Sequence, residues 1–174
     1  MEKDAPRFAI FRGEAAPSLE ESGVMDSVPP SEAVLAGMMQ VIDAGMDNGH
    51  FTRVLFSQGG MSLAYAWFKS GFPLPRHSHN SDCLYYIVGG SLRLGTEELK
   101  TGDGFFIGKD VPYTYTPGEN GVEVLEFRTA ERFDIKTLAA NPAFWAKAAE
   151  TAKAKRDIWP EENSSPSGLI RTEG

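Results

Sequence analysis

The sequence predicts a mainly β protein: one antiparallel barrel or sandwich of short strands, with an arm and a short helix before it and helices after it. Three observations carry this. From about residue 51 to residue 130, short apolar and aromatic stretches alternate with turn signals, most of them built on glycine. No helical repeat interrupts that region. Helical spacing of apolar residues is confined to 31–45 and to the segment after residue 140.

Taken in order, RFAIFR (7–12) alternates well enough for a short strand, and 16–30 reads as an extended arm or loop rich in Ser, Glu and Pro. Residues 31–45 suit a helix capped by Ser31 and stopped at Gly45, with Val34, Leu35, Met38, Met39 and Val41 as its apolar positions. Strands are then expected at FTRVLFS, MSLAYAWFK, DCLYYIV, SLRLG, GFFIG, VPYTYT and VEVLEFR, with a turn at PGENG (117–121). Asn141 and Pro142 begin a second helical stretch that Pro160 ends, with Phe144, Trp145, Ala148, Ala149 and Ala152 on one side. The tail, 161–174, is expected to be loosely packed. No internal repeat is present. The chain therefore reads as one structural domain with parts at 1–50, 51–130, 131–160 and 161–174.

The chain's 174 residues can bury a sizeable core. Hydrophobic residues make up 41 % and charged residues 24 %, an ordinary globular balance. A formal net charge of −7 argues against a nucleic-acid partner, which calls for a Lys/Arg surplus. The single cysteine, Cys83, excludes an internal disulfide. No segment approaches the roughly 20 apolar residues that span a bilayer, and the first residues hold no signal-like apolar run. A cytoplasmic protein without a membrane partner is expected.

Chemistry concentrates between Gly71 and Gly90. His77, His79, Cys83, Tyr85 and Ile87 share parity, so on an unbulged strand they share a face. Two positions along a strand are roughly 6.6 Å apart, close enough for two imidazoles to lean onto one metal ion. Asp82 has the opposite parity and points away. Arg76 sits beside the motif as a rim or solvated residue. His50, after Asn48-Gly49, is expected in a surface turn. Phe56, Trp67, Phe105 and Phe106 are expected in the core or a dimer interface, and the Met38-Met39 pair in the core.

This segment resembles the first motif of the cupin superfamily: Gly, five residues, His, one, His, three or four, Glu, six, Gly. Gly71, His77, His79 and Gly90 fall on it, and Cys83 stands at the glutamate position. The stretch from Gly102 keeps the spacing of the second motif but not its residues: Gly108, Asp110, Tyr113 and Pro117 stand where that motif has Pro, Gly, His and Asn. The resemblance covers about 51–128 and implies a cupin-type double-stranded β-helix, jelly-roll-like, with its site inside the barrel.

It further implies a transition-metal ion (Zn, Fe, Mn, Ni or Cu) on His77 and His79, with Cys83 or Tyr113 as third ligand. Cysteine dioxygenase, in the same superfamily, carries a non-ligating Cys at the place of Cys83. Some cupin lyases use a Tyr at the place of Tyr85 as a base. Tyr85 and Tyr113 are therefore candidate catalytic residues, and Cys83 is equally well a small buried hydrophobe. The expected function is a small-molecule cupin protein, a metal-dependent dioxygenase, isomerase or lyase. The alternative is a binding or sensor barrel that has lost ligands. Single-barrel cupins commonly pair through sheet edges, so a homodimer is expected, with RFAIFR as a possible added strand.

Overall fold

A computed structural model of the chain describes residues 6–172. It is mainly β, with nine strands and three α-helices among the described residues: α1 (Leu19–Ser22), β1 (Met25–Ser27), α2 (Glu32–Asp43), β2 (His50–Gln58), β3 (Met61–Phe68), β4 (His77–Ser78), β5 (Cys83–Leu94), β6 (Glu97–Lys100), β7 (Gly104–Ile107), β8 (Thr116–Arg128), β9 (Phe133–Thr137) and α3 (Pro142–Lys155). The strands form two sheets rather than one closed barrel. The six-stranded sheet runs β2-β3-β8-β5-β6, with β7 also on β5, and the three-stranded sheet runs β1-β9-β4. All pairings are antiparallel except β1 with β9. None of these helices is long and apolar enough to cross a membrane.

The helices follow their local signals. Ser31 caps α2 by accepting from Val34 N, and Asn141 caps α3 by accepting from Ala143 N, with Pro142 at the first helical position. The two helices bury Val34, Val41, Trp145, Ala148 and Ala152 together with Phe72 and Trp159. Gly37 leaves the space that the Trp145 indole fills. Leu35 and Met39 face outward, so the apolar stripe of α2 is narrower than expected, and of the methionine pair only Met38 packs on the core.

Five sequence expectations give way. Residues 7–12 form no strand: no other described segment pairs with them, and Phe8, Ile10 and Phe11 are exposed. Segment 16–30 is not a plain loop. Ser18 and Glu21 form a capping box that starts α1, and β1 then pairs with β9. Residues 117–121 are not a turn but the first half of β8, with Pro117 opposite Leu92. VPYTYT is no strand of its own: Tyr113 makes an isolated bridge to His77, and Thr116 already opens β8 opposite Arg93. Beyond residue 130 the chain makes β9 before a single helix.

The segment after α3 is firmly packed. Trp159 is fully buried, its indole donates to Ser70 O at 3.0 Å, and its own carbonyl accepts from Lys69 Nζ at 2.5 Å. Ser164 bridges to Arg171, and Ser167 binds the buried carboxylate of Glu123. This strap covers the outer face of β3 and β8.

Candidate functional site

Between the sheets, alternation on four neighbouring strands sets the lining. One inward row runs Ile107, Cys83, Arg128, Ser62 on β7, β5, β8 and β3. The next runs Phe105, Tyr85, Glu126, Ala64. His77 on β4 and His79 just after it come from the small sheet, held over this lining by the β4–β9 pairing. The turn at 80–82 separates the histidines from Cys83 and Tyr85, which therefore share a site rather than one strand. His77, His79, Cys83, Tyr85, Ile87 and Tyr113 are all buried.

Each end of the motif is a glycine with positive φ. Gly90 has φ +76°, and a Cβ there would overlap the carbonyl of Gly121 on β8. Gly71, at φ +63°, turns the chain into the segment that carries the histidines.

The imidazoles are oriented by backbone. His77 Nδ1 lies 2.7 Å from Pro75 O, and His79 Nδ1 lies 2.5 Å from Asp134 O. A carbonyl only accepts, so both Nδ1 atoms carry the proton and both Nε2 atoms keep a free lone pair. The two ring centroids are 5.0 Å apart, and the Tyr113 ring is 4.5 Å from that of His77. Asn80 and Asp134 exchange hydrogen bonds of 2.8 and 2.9 Å that fix the turn after His79. Burial lowers His77 from the ordinary imidazole value. Burial first, then the nearby Arg128 charge, bring His79 down to about 4. Both rings are neutral at pH 7, the form that binds a metal.

The tyrosines form a second group. The hydroxyls of Tyr85 and Tyr113 are hydrogen-bonded to each other, and Phe105 stacks on Tyr85 at 4.4 Å between centroids and 7° between planes. Burial and then the Glu126 carboxylate push both phenols well above their usual range. They are hydrogen-bond donors, with no cation near enough in effect to make Tyr85 a base at neutral pH. Burial, reinforced by Glu126, pushes the Cys83 thiol up to about 12, so it stays a thiol.

Two residues of this lining are not evident from the sequence motif. Glu126 and Arg128 form an ion pair of 2.7 Å inside the sheet sandwich, and the Arg128 guanidinium lies 3.9 Å from the centre of the Phe133 ring. Their signal is parity: they continue the inward positions Val122 and Val124. The other candidates stand apart. Asp82 accepts from Lys109 N at 2.7 Å, and Arg76 is exposed. His50 is not in a turn; it opens β2, exposed, with its ring 5.6 Å from that of Phe72. Trp67 is buried and Phe106 is exposed. Two surface clefts, of about 240 and 330 Å³, lie elsewhere, one beside His50 and Lys69 and the other beside Trp67 and Glu161.

The fit to a metal ion is that of two neutral, backbone-oriented imidazoles. Among the described residues no group of three His, Cys, Asp or Glu stands together.

No family model and no curated protein matches the sequence. Solved structures do resemble it. An RmlC-like cupin from Shewanella frigidimarina is 22 % identical over 48 % of this chain and 78 % of its own, with a TM-score of 0.42. KdgF from a Halomonas species is 20 % identical over 47 % and 79 %, at 0.41. The polyketide cyclase RemF from Streptomyces resistomycificus is 18 % identical over 60 % and 83 %, at 0.49. Likeness at this level concerns the fold alone. The chain itself is a pair of packed β-sheets with His77 and His79 buried between them.

Proposed function

We propose that this chain binds a small organic molecule between its sheets and acts on it as a metal-dependent enzyme, with His77 and His79 holding the ion. The observation that carries this is the pair of Nδ1–carbonyl hydrogen bonds, which fix both tautomers with Nε2 free. A bound transition metal would supply Lewis-acid or oxygen-activating chemistry. The chain's own groups then have defined tasks. Tyr85 and Tyr113 offer neutral hydroxyls that orient a polar ligand atom. Cys83, Phe105 and Ile107 exclude water. With only two imidazoles from the protein, the remaining coordination positions fall to ligand or solvent.

The test is elemental analysis of untagged protein. Near-stoichiometric metal is expected in the wild type, and none in His77→Ala/His79→Ala. Equal metal in both would move the ion elsewhere. No uptake from Fe, Mn, Zn, Ni or Cu salts would favour the second reading, a binding or sensor protein. That reading is supported by the neutral phenols, which make a lining for recognition rather than acid–base work.

The homodimer is proposed through a sheet face rather than an edge. One outward row, Phe106, Leu84, Phe127, Leu63 and Phe56, is apolar across five strands. Phe106 is 61 % exposed and Leu84 54 %, and Tyr86 beside them is 52 % exposed. At roughly 150–250 Å² per large side chain, these three half-exposed residues offer on the order of 300 Å². That is well under the roughly 800 Å² per partner in a standard interface, the rest coming from their flanks. An isologous pair of these faces satisfies both copies at once. Light scattering after size exclusion should give a dimer at micromolar concentration and a monomer for Leu84→Glu/Phe106→Glu; a monomeric wild type would refute it.

A further inference from the structure

We infer that Arg128 and Ser62 form an anchor for a carboxylate group in the interior beside His77 and His79. The inference rests on reading that interior as the ligand site.

Arg128 carries a permanent positive charge and five N–H donors, yet it is 1 % exposed. One donor, on Nη2, reaches Glu126 Oε2 at 2.7 Å, and the Phe133 ring covers one guanidinium face. Nε and Nη1 meet no acceptor. On the neighbouring strand Ser62 stands directly opposite Arg128, is 1 % exposed, and its hydroxyl also lacks a partner. Paired residues on adjacent strands bring their Cβ atoms to roughly 5 Å, so these unpartnered groups address one place. Buried polar groups in folded proteins are almost always satisfied, and two orphaned neighbours imply a missing acceptor.

The chemistry of that acceptor is constrained. Guanidinium nitrogens only donate, so the ligand atom must be an acceptor, and the charge selects an anion. Glu126 already offsets one positive charge, which disfavours a dianion such as phosphate. The surroundings are Cys83, Phe133 and Tyr85, which favour an organic acid over a hydrated inorganic ion. A carboxylate held here by one end keeps the rest of its molecule beside the imidazoles and the Tyr85–Tyr113 hydroxyl pair.

The experiment uses the full chain, stripped with a chelator, titrated separately with acetate, acetamide and chloride. Binding is followed by thermal shift and by the near-ultraviolet absorbance of the tyrosines. Acetate should bind saturably, with acetamide and chloride at least tenfold weaker. Ser62→Ala should weaken acetate at least tenfold, the usual worth of a hydrogen bond to a charged group. Arg128→Lys should weaken it further, because an ammonium cannot reproduce the planar fork. Glu126→Gln should tighten it by removing the competing carboxylate, which keeps the inference testable if the Arg128 variant does not fold. His77→Ala/His79→Ala should still bind acetate, whatever its metal content. Equal binding of acetate and acetamide, indifference to Ser62→Ala and Glu126→Gln, or acetate binding only after metal loading would each overturn the anchor. The metal reading is decided separately by the elemental analysis.

Discussion

Glu123→Ala should destabilise the protein by about 3–5 kcal/mol, the cost of leaving three buried donors unsatisfied at roughly 1–3 kcal/mol each. Glu123 is fully buried on the outer face of β8. Its carboxylate accepts from Tyr65 Oη at 2.6 Å, from Ser167 N at 2.6 Å and from Ser167 Oγ at 2.8 Å. Removing it leaves a phenol, an amide and a hydroxyl without partners in a dry seam, and opens a cavity. The lost desolvation penalty of the charge offsets part of this, so Glu123→Gln should cost less, about 1–3 kcal/mol, since the amide keeps one acceptor. Urea unfolding measures both. The Ala variant should also become sensitive to protease within 160–172, because the strap loses its tie. Wild-type stability in Glu123→Ala would mean that the strap is held by Trp159 and Glu162 through Lys69 and Ser70.

The second large effect is acid sensitivity. In the unfolded chain His79 titrates near its ordinary value of about 6.5, and in the folded protein near about 4. Between these values the unfolded chain binds a proton that the folded protein refuses. Stability is therefore full above the unfolded value and is lost as pH falls through this window. The shift corresponds to roughly 3 kcal/mol, with His77 adding in the same direction. Urea midpoints measured from pH 7.5 to 4.0 should fall steadily below about pH 6.5. In His79→Gln the slope should shrink markedly. An unchanged slope in that variant would assign the acid loss to other groups.

How legible this protein was depends on which physical signal each element carries. His77 and His79 were legible because motif spacing and strand parity both point inward, and parity survived even though a turn divides the segment. Cys83 and Tyr113 are buried in the interior, and that burial, which only the fold supplies, keeps both protonated. Glu126 and Arg128 were passed over because VEVLEFR offers two competing phases. Val122 and Val124 set one phase, and Leu125 and Phe127 the other. The structure keeps the first, so an ion pair goes inside and an aromatic goes out. RFAIFR shows the opposite failure: alternation alone made it look like a strand, but a strand exists only with a partner. β9 was missed because five residues next to a helical pattern carry little periodicity of their own.

Gly89 links the two ends of the fold in time as well as in space. A Cβ there would overlap the Glu123 carboxylate and press on Ser167 N, so the position is kept bare for a strap that does not yet exist when β5 and β8 first pair. Synthesis proceeds from the N-terminus, and residues 159–172 are made after every strand of both sheets. Until they arrive, Glu123, Tyr65 and Trp67 lack the cover that the strap gives them in the folded protein. Docking of the strap is the late event that supplies it.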